Sequence, residues 1–131
     1  MLTLLLSSAT WAGTLTVWID DPDNASQELV FETDACQEAT VRQRQARNET
    51  TVRSWVSPTG DDHQVMVGLV VDLQSETPDG QGAFTTRHAA TVSPGTRTLL
   101  VSNGAHRVEV QADGFANVDA NCTEMPSYRQ R

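Results

Sequence analysis

Clusters of turn-forming residues punctuate this chain, and the segments between them show no convincing amphipathic helix. They include Asp20-Asp21-Pro22-Asp23-Asn24, Ser57-Pro58-Thr59-Gly60-Asp61, Pro78-Asp79-Gly80, Ser93-Pro94-Gly95, Asn103-Gly104 and Asp113-Gly114. Between them the apolar residues follow the two-residue period of a strand: Thr14-Leu15-Thr16-Val17-Trp18-Ile19 alternates until the first cluster stops it. Residues 63–73, with Val65, Val67, Leu69, Val70 and Val71, form the most apolar stretch and read as a central strand. Asn-Gly and Asp-Gly accept the positive φ of tight hairpins, so the later clusters predict antiparallel pairing.

Strand candidates are 14–19, 27–33, 38–45, 50–57, 63–73, 83–92, 96–101, 106–112 and 115–120, with 38–45 and 50–57 joined as a hairpin through Arg47-Asn48. Residues 74–82 read as a polar loop and 125–131 as a loose tail. Turn signals spaced about 8–12 residues apart are the pattern of a β-sandwich. With 131 residues there is material for one core, so a single domain over 14–124 is expected.

Seventeen acidic residues against nine basic ones set the net charge at −8, a field that repels nucleic acid. Every basic residue is arginine, which removes Schiff-base, P-loop and Ser-x-x-Lys chemistry together. The first 13 residues are uncharged and begin Leu2-Thr3-Leu4-Leu5-Leu6 before small residues, the pattern of a secretory signal and its cleavage region. A retained membrane anchor and an ordinary first strand are the alternatives, so membrane contact is expected only if this segment stays attached. An exported chain with Cys36 and Cys122 is expected to join them as one disulfide. The bridge would span 122 − 36 = 86 residues, a constraint on the order of 4 kcal/mol. Asn24, Asn48 and Asn121 begin Asn-x-Ser/Thr sequons, which matter only where a compartment glycosylates.

Residues 93–101, followed by Asn103-Gly104-Ala105-His106-Arg107-Val108-Glu109-Val110 and Gly114-Phe115, resemble the strand-turn-strand signature of PEGA-type and related immunoglobulin-like domains of bacterial and archaeal surface proteins. The resemblance covers about 20 residues. It implies an all-β, immunoglobulin-like antiparallel sandwich of seven to nine strands, and it gives His106 a structural place at the hairpin.

His63, His88 and His106 lack metal-ligand spacing. Asp20, Asp21 and Asp23 put hard oxygen donors on one loop, but neither the glycine nor the glutamate of a calcium loop follows, and a solvated turn is the better reading. Trp18 and Trp55 are expected in the core, with an exposed sugar-stacking role as the alternative. No nucleophile has a histidine at motif spacing, and no cofactor is implied. Arg42, Arg44, Arg47 and Arg53 fall within one hairpin, and alternation sets Arg42 and Arg44 on one face. That stripe suits carboxylates, sulfates or acidic glycans, although a solvated face with cross-strand ion pairs would look the same. The expectation is a secreted or cell-surface, non-catalytic module for adhesion, assembly or ligand binding, its partner a protein or glycan, with periplasmic residence also open. A subunit that assembles by edge-strand pairing and a small secreted hydrolase are the competing classes.

Overall fold

The computed structural model describes residues 12–21, 24–45, 48–58, 64–77, 80–103 and 106–115. Eight strands follow in order: β1 Ala12–Asp21, β2 Asn24–Asp34, β3 Glu38–Gln45, β4 Asn48–Pro58, β5 Val65–Thr77, β6 Gly80–Val92, β7 Thr98–Asn103 and β8 His106–Asp113. They form two four-stranded sheets, sheet A in the order β2-β1-β8-β7 and sheet B in the order β3-β4-β5-β6. All six ladders are antiparallel. Class and strand number are as expected. The strand order is simpler than the Greek key of immunoglobulin domains: each ladder joins consecutive strands, except that β1 pairs with β8 and brings the two ends of the fold together.

The core lies between the sheets and is almost wholly aliphatic. Leu15, Val17 and Ile19 point inward from β1, and Val108, Val110 and Ala112 from β8; Val52, Val56, Val67, Leu69 and Val71 meet them from sheet B. β-Branched residues suit this surface because their rotamers are already restricted in extended backbone. One hydrogen bond spans the layers, from Thr50 Oγ1 to Gln27 Oε1 at 2.9 Å, with both residues buried. Ser54 Oγ, four residues further along the same strand, is buried with no partner among the described residues, a cost of roughly 1–3 kcal/mol.

Three boundaries differ from the sequence reading. Residues 74–77 and 80–82 are strand rather than loop: Gln74 pairs with Ala83, Ser75 with Gly82 and Thr77 with Gly80, so the hairpin extends past the core. β1 starts at Ala12, paired with Asp34, two residues ahead of the strand expected from residue 14. Phe115 falls outside any strand and packs into the core; residues 116–120 of the expected ninth strand, the tail 125–131 and most of the leader lie outside the described residues.

Trp18 corrects another expectation. It is half-exposed on the outer face of sheet A, because alternation commits Val17 and Ile19 to the core. Trp55 is buried as expected, yet on the outer side of sheet B and not between the sheets.

Candidate functional site

Inward-pointing Val52 and Val56 on β4 turn Thr51, Arg53 and Trp55 outward, and Val41 on β3 does the same for Thr40, Arg42 and Arg44. The expected arginines therefore do share a face. Arg42 and Arg44 are exposed on edge strand β3, and Arg53 is half-buried on β4, opposite Thr40 and diagonal to Arg42. Diagonal neighbours across a ladder stand about 7–8 Å apart, close enough for two guanidinium groups to grip one polyanionic or carboxylate-bearing partner. Arg47 lies outside the described residues.

Register adds a fourth arginine that the hairpin alone could not supply. Arg53 pairs with Val70 on β5, and Val70 pairs in turn with Arg87 on β6, so one row across sheet B reads Thr40, Arg53, Val70, Arg87. The next row reads Arg42, Thr51, Asp72, Thr85. Asp72 is the one acid in these two rows, and its carboxylate accepts a 2.6 Å hydrogen bond from Thr85 Oγ1. Glu38 and Glu49 stand at opposite ends of the face; Glu49 approaches Arg44 at 3.9 Å, with the arginine side chain 81% exposed. A pair so open to water holds its arginine only weakly, which leaves that group available.

The outer face of sheet A is built differently. Trp18 sits between Glu28 and Glu109 in the ladder, and its Nε1 donates to Glu28 Oε2 at 3.2 Å. The Arg97 guanidinium lies 4.0 Å from the ring centroid and donates to Glu109 Oε1 at 2.9 Å. Arg107 approaches the same carboxylate at 3.5 Å. The two arginines of this face are thus already committed to Glu109, and the indole is capped by one of them. Trp18 is neither core nor an open sugar platform. Asp20, Glu32 and Asp113 add to the acidic character of this side.

Comparison with known families, curated proteins and solved structures produced no match.

The remaining candidates are scattered. Asp20 accepts a hydrogen bond from Ser26 Oγ, the pairing of a polar hairpin end. Asp21 pairs with Asn24 there, and Asp23 lies outside the described residues. Among the described residues no three His, Cys, Asp or Glu side chains gather in a metal-binding group. His106 stacks flat on Phe84, with centroids 3.9 Å apart and planes at 4°, tying the β7–β8 hairpin to sheet B. His88 faces inward beside Leu69 at the β6 edge, and His63 lies outside the described residues. Asn24 and Asn48 open β2 and β4, at hairpin ends, whereas Asn121 and Cys122 lie outside the described residues. Cys36 adopts φ 63° in the corner between β2 and β3, and its amide donates to Val56 O at 2.8 Å.

Proposed function

We propose that this chain is a secreted or cell-surface, non-catalytic β-sandwich module that binds an acidic protein or glycan through the outer face of sheet B. The observation that carries the reading is the convergence of Arg42, Arg44 and Arg53 on one face, with Arg87 in the same row as Arg53, in a chain of net charge −8. Excess negative charge elsewhere discourages non-specific contact with anions, so attraction is confined to the place where guanidinium groups are concentrated. Guanidinium forks match carboxylate and sulfate oxygens two at a time, and a rigid sheet fixes their spacing at little entropic cost. The resemblance of the β7–β8 hairpin to bacterial and archaeal surface domains supports display outside the cell, as does the apolar leader-like start.

The test is retention on immobilised sulfated dextran at increasing salt. The parent protein is expected to bind at low ionic strength and elute as salt screens the contact. Arg42→Gln/Arg44→Gln/Arg53→Gln is expected to weaken binding at least tenfold, with thermal stability little changed because these side chains are exposed or half-exposed. Equal retention of parent and triple variant would refute the assignment of the face.

A second reading has one specific observation behind it. Val30, 61% exposed, stands on edge strand β2, and Leu99, 47% exposed, on edge strand β7 of the same sheet. Strand addition at such an edge would build an assembly instead of capturing a ligand. A solution mass that rises with protein concentration, and falls when Leu99 or Val30 becomes lysine, would select that reading.

A further inference from the structure

Two sheet edges stand together on one flank of the sandwich. β2 is an edge strand of sheet A and β3 an edge strand of sheet B, and only residues 35–37 separate them in the chain. A connection this short reaches little further than the roughly 10 Å between packed sheets. It crosses from layer to layer without moving sideways, so β2 and β3 lie one above the other and run in opposite directions. The ladder of β2 is regular from Asp34 to Gln27 and that of β3 is unbroken. The opposite flank is less suited to pairing, because its edge strand β7 has six residues and a register shift between Leu99 and Val101, the kind of irregularity that blunts an edge.

The two edges carry opposite charge. Leu29 and Phe31 pack toward the core, so β2 turns Glu28, Val30 and Glu32 outward, and no basic residue occurs in the strand. β3 turns Thr40, Arg42 and Arg44 outward, and all six of these residues are exposed. Pairing β2 with β2 of another copy about Val30 would set Glu28 against Glu32, and pairing β3 with β3 would crowd the arginines together. Like charges across a ladder are destabilising and opposite charges are favourable, so each edge is matched to the other and not to itself.

We infer that the chain forms a closed two-fold dimer in which β2 of each copy pairs antiparallel with β3 of the other. This deepens the edge-pairing reading, on which it rests, by naming the partner as a second copy of the chain. A two-fold axis between the copies, parallel to the strands, exchanges the layers and keeps strand direction. It sets β3 of the second copy level with β2, and the opposite directions of these strands within one chain become antiparallel pairing between chains. The same rotation pairs β3 with β2 of the second copy, so both edges on this flank are used at once and the assembly stops at two.

The axis also keeps each residue at its own height. Glu28 stands 34 − 28 = 6 residues from the end of β2, and Arg44 stands 44 − 38 = 6 residues from the start of β3, which places them opposite one another. Val30 then meets Arg42, and Glu32 lies diagonal to Arg42, within reach of its guanidinium. Outward residues meet outward residues throughout, so the two faces continue across the join. Trp18 Nε1 donates to one Glu28 oxygen at 3.2 Å and steadies that carboxylate, while the contact of Arg44 with Glu49 is open to water. Arg53 and Arg87, set back from the edge, stay on the outer face for an acidic ligand.

Sedimentation equilibrium of the full chain over a range of concentrations is the test. The parent is expected to pass from one copy to two and go no further. Glu28→Arg/Glu32→Arg and, separately, Arg42→Glu/Arg44→Glu are each expected to weaken association at least tenfold, and the four substitutions together to restore it, because the charges are then exchanged across both ladders. A parent that stays monomeric would remove the edge-pairing reading and the dimer with it. Mass climbing past two copies, undiminished association of either double variant, or no recovery in a folded fourfold variant would overturn the dimer alone. Should the variants fail to fold, hydrogen exchange of the parent decides: protection of residues 27–33 and 39–45 that rises with protein concentration upholds the dimer, and protection independent of concentration refutes it. Sulfated-dextran retention of the parent at concentrations below association reads the contact face by itself.

Discussion

A Leu69→Ala protein is expected to unfold more easily than the parent by about 2–5 kcal/mol, the range for removing a large aliphatic side chain from a sealed core. Leu69 is 1% exposed at the middle of β5, the strand that pairs with both β4 and β6. Its inward neighbours in the ladder are Ser54 and His88, neither of which is an apolar group that could slide into the void. Antiparallel strands locked by ladders on both sides also resist the backbone collapse that would shrink a cavity. The measurement is a urea transition with the slope held common to both proteins. A loss smaller than about 1 kcal/mol would mean that Leu69 is not enclosed as the structure places it.

Gly13→Ala carries the second large effect. A methyl group on Gly13 would stand 2.6 Å from Asp113 O and 2.6 Å from the Phe115 ring. The carbonyl belongs to the backbone of β8 and cannot turn aside like a side-chain tip, so the β1–β8 ladder itself must shift. Overpacking of this kind costs about 1–3 kcal/mol, more than the roughly 0.4–1 kcal/mol that replacing a glycine commonly contributes through the unfolded chain. Gly82→Ala is the control, because its methyl would meet nothing nearer than Ser75 Oγ at 3.6 Å. Thermal melts should therefore separate the two variants in opposite directions, Gly13→Ala downward and Gly82→Ala unchanged or upward.

Fold class was legible because alternation and turn chemistry are local. The run around Val65 to Leu73 and the Asn-Gly and Asp-Gly hairpins could be assigned by reading a few residues at a time. What lies beyond local pattern was less so. Pairing of β1 with β8 joins positions about a hundred residues apart, and nothing in either segment specifies the other. The 74–82 stretch looked like a loop because its residues are polar, yet Gln74, Ser75, Glu76 and Thr77 each keep a partner across the β5–β6 ladder. Trp18 shows the same limit: its neighbours Val17 and Ile19 already fix the inward face, and parity was a better guide than hydrophobicity.

The candidate face was half readable. Arg42 and Arg44 share parity within one strand, and the hairpin brings Arg53 to them. Arg87 required the register of two further ladders, although parity from Val92 back through Ala90 and Thr86 would have marked it as outward. The buried patch of Trp55 and Val70 could not have been foreseen, because an outward-facing apolar residue in a sequence looks the same whether it meets solvent, a partner or another part of its own chain.

The most direct check on the account is the intact mass of native protein recovered from outside the producing cells, alkylated before and after reduction. An exported module should begin no later than Ala12, since that residue pairs with Asp34 and its neighbour Gly13 is held under Phe115. It should also take up alkyl groups at Cys36 and Cys122 only after reduction. Protein found only inside the cell, retaining Met1 and alkylated at both cysteines without reduction, would contradict the account.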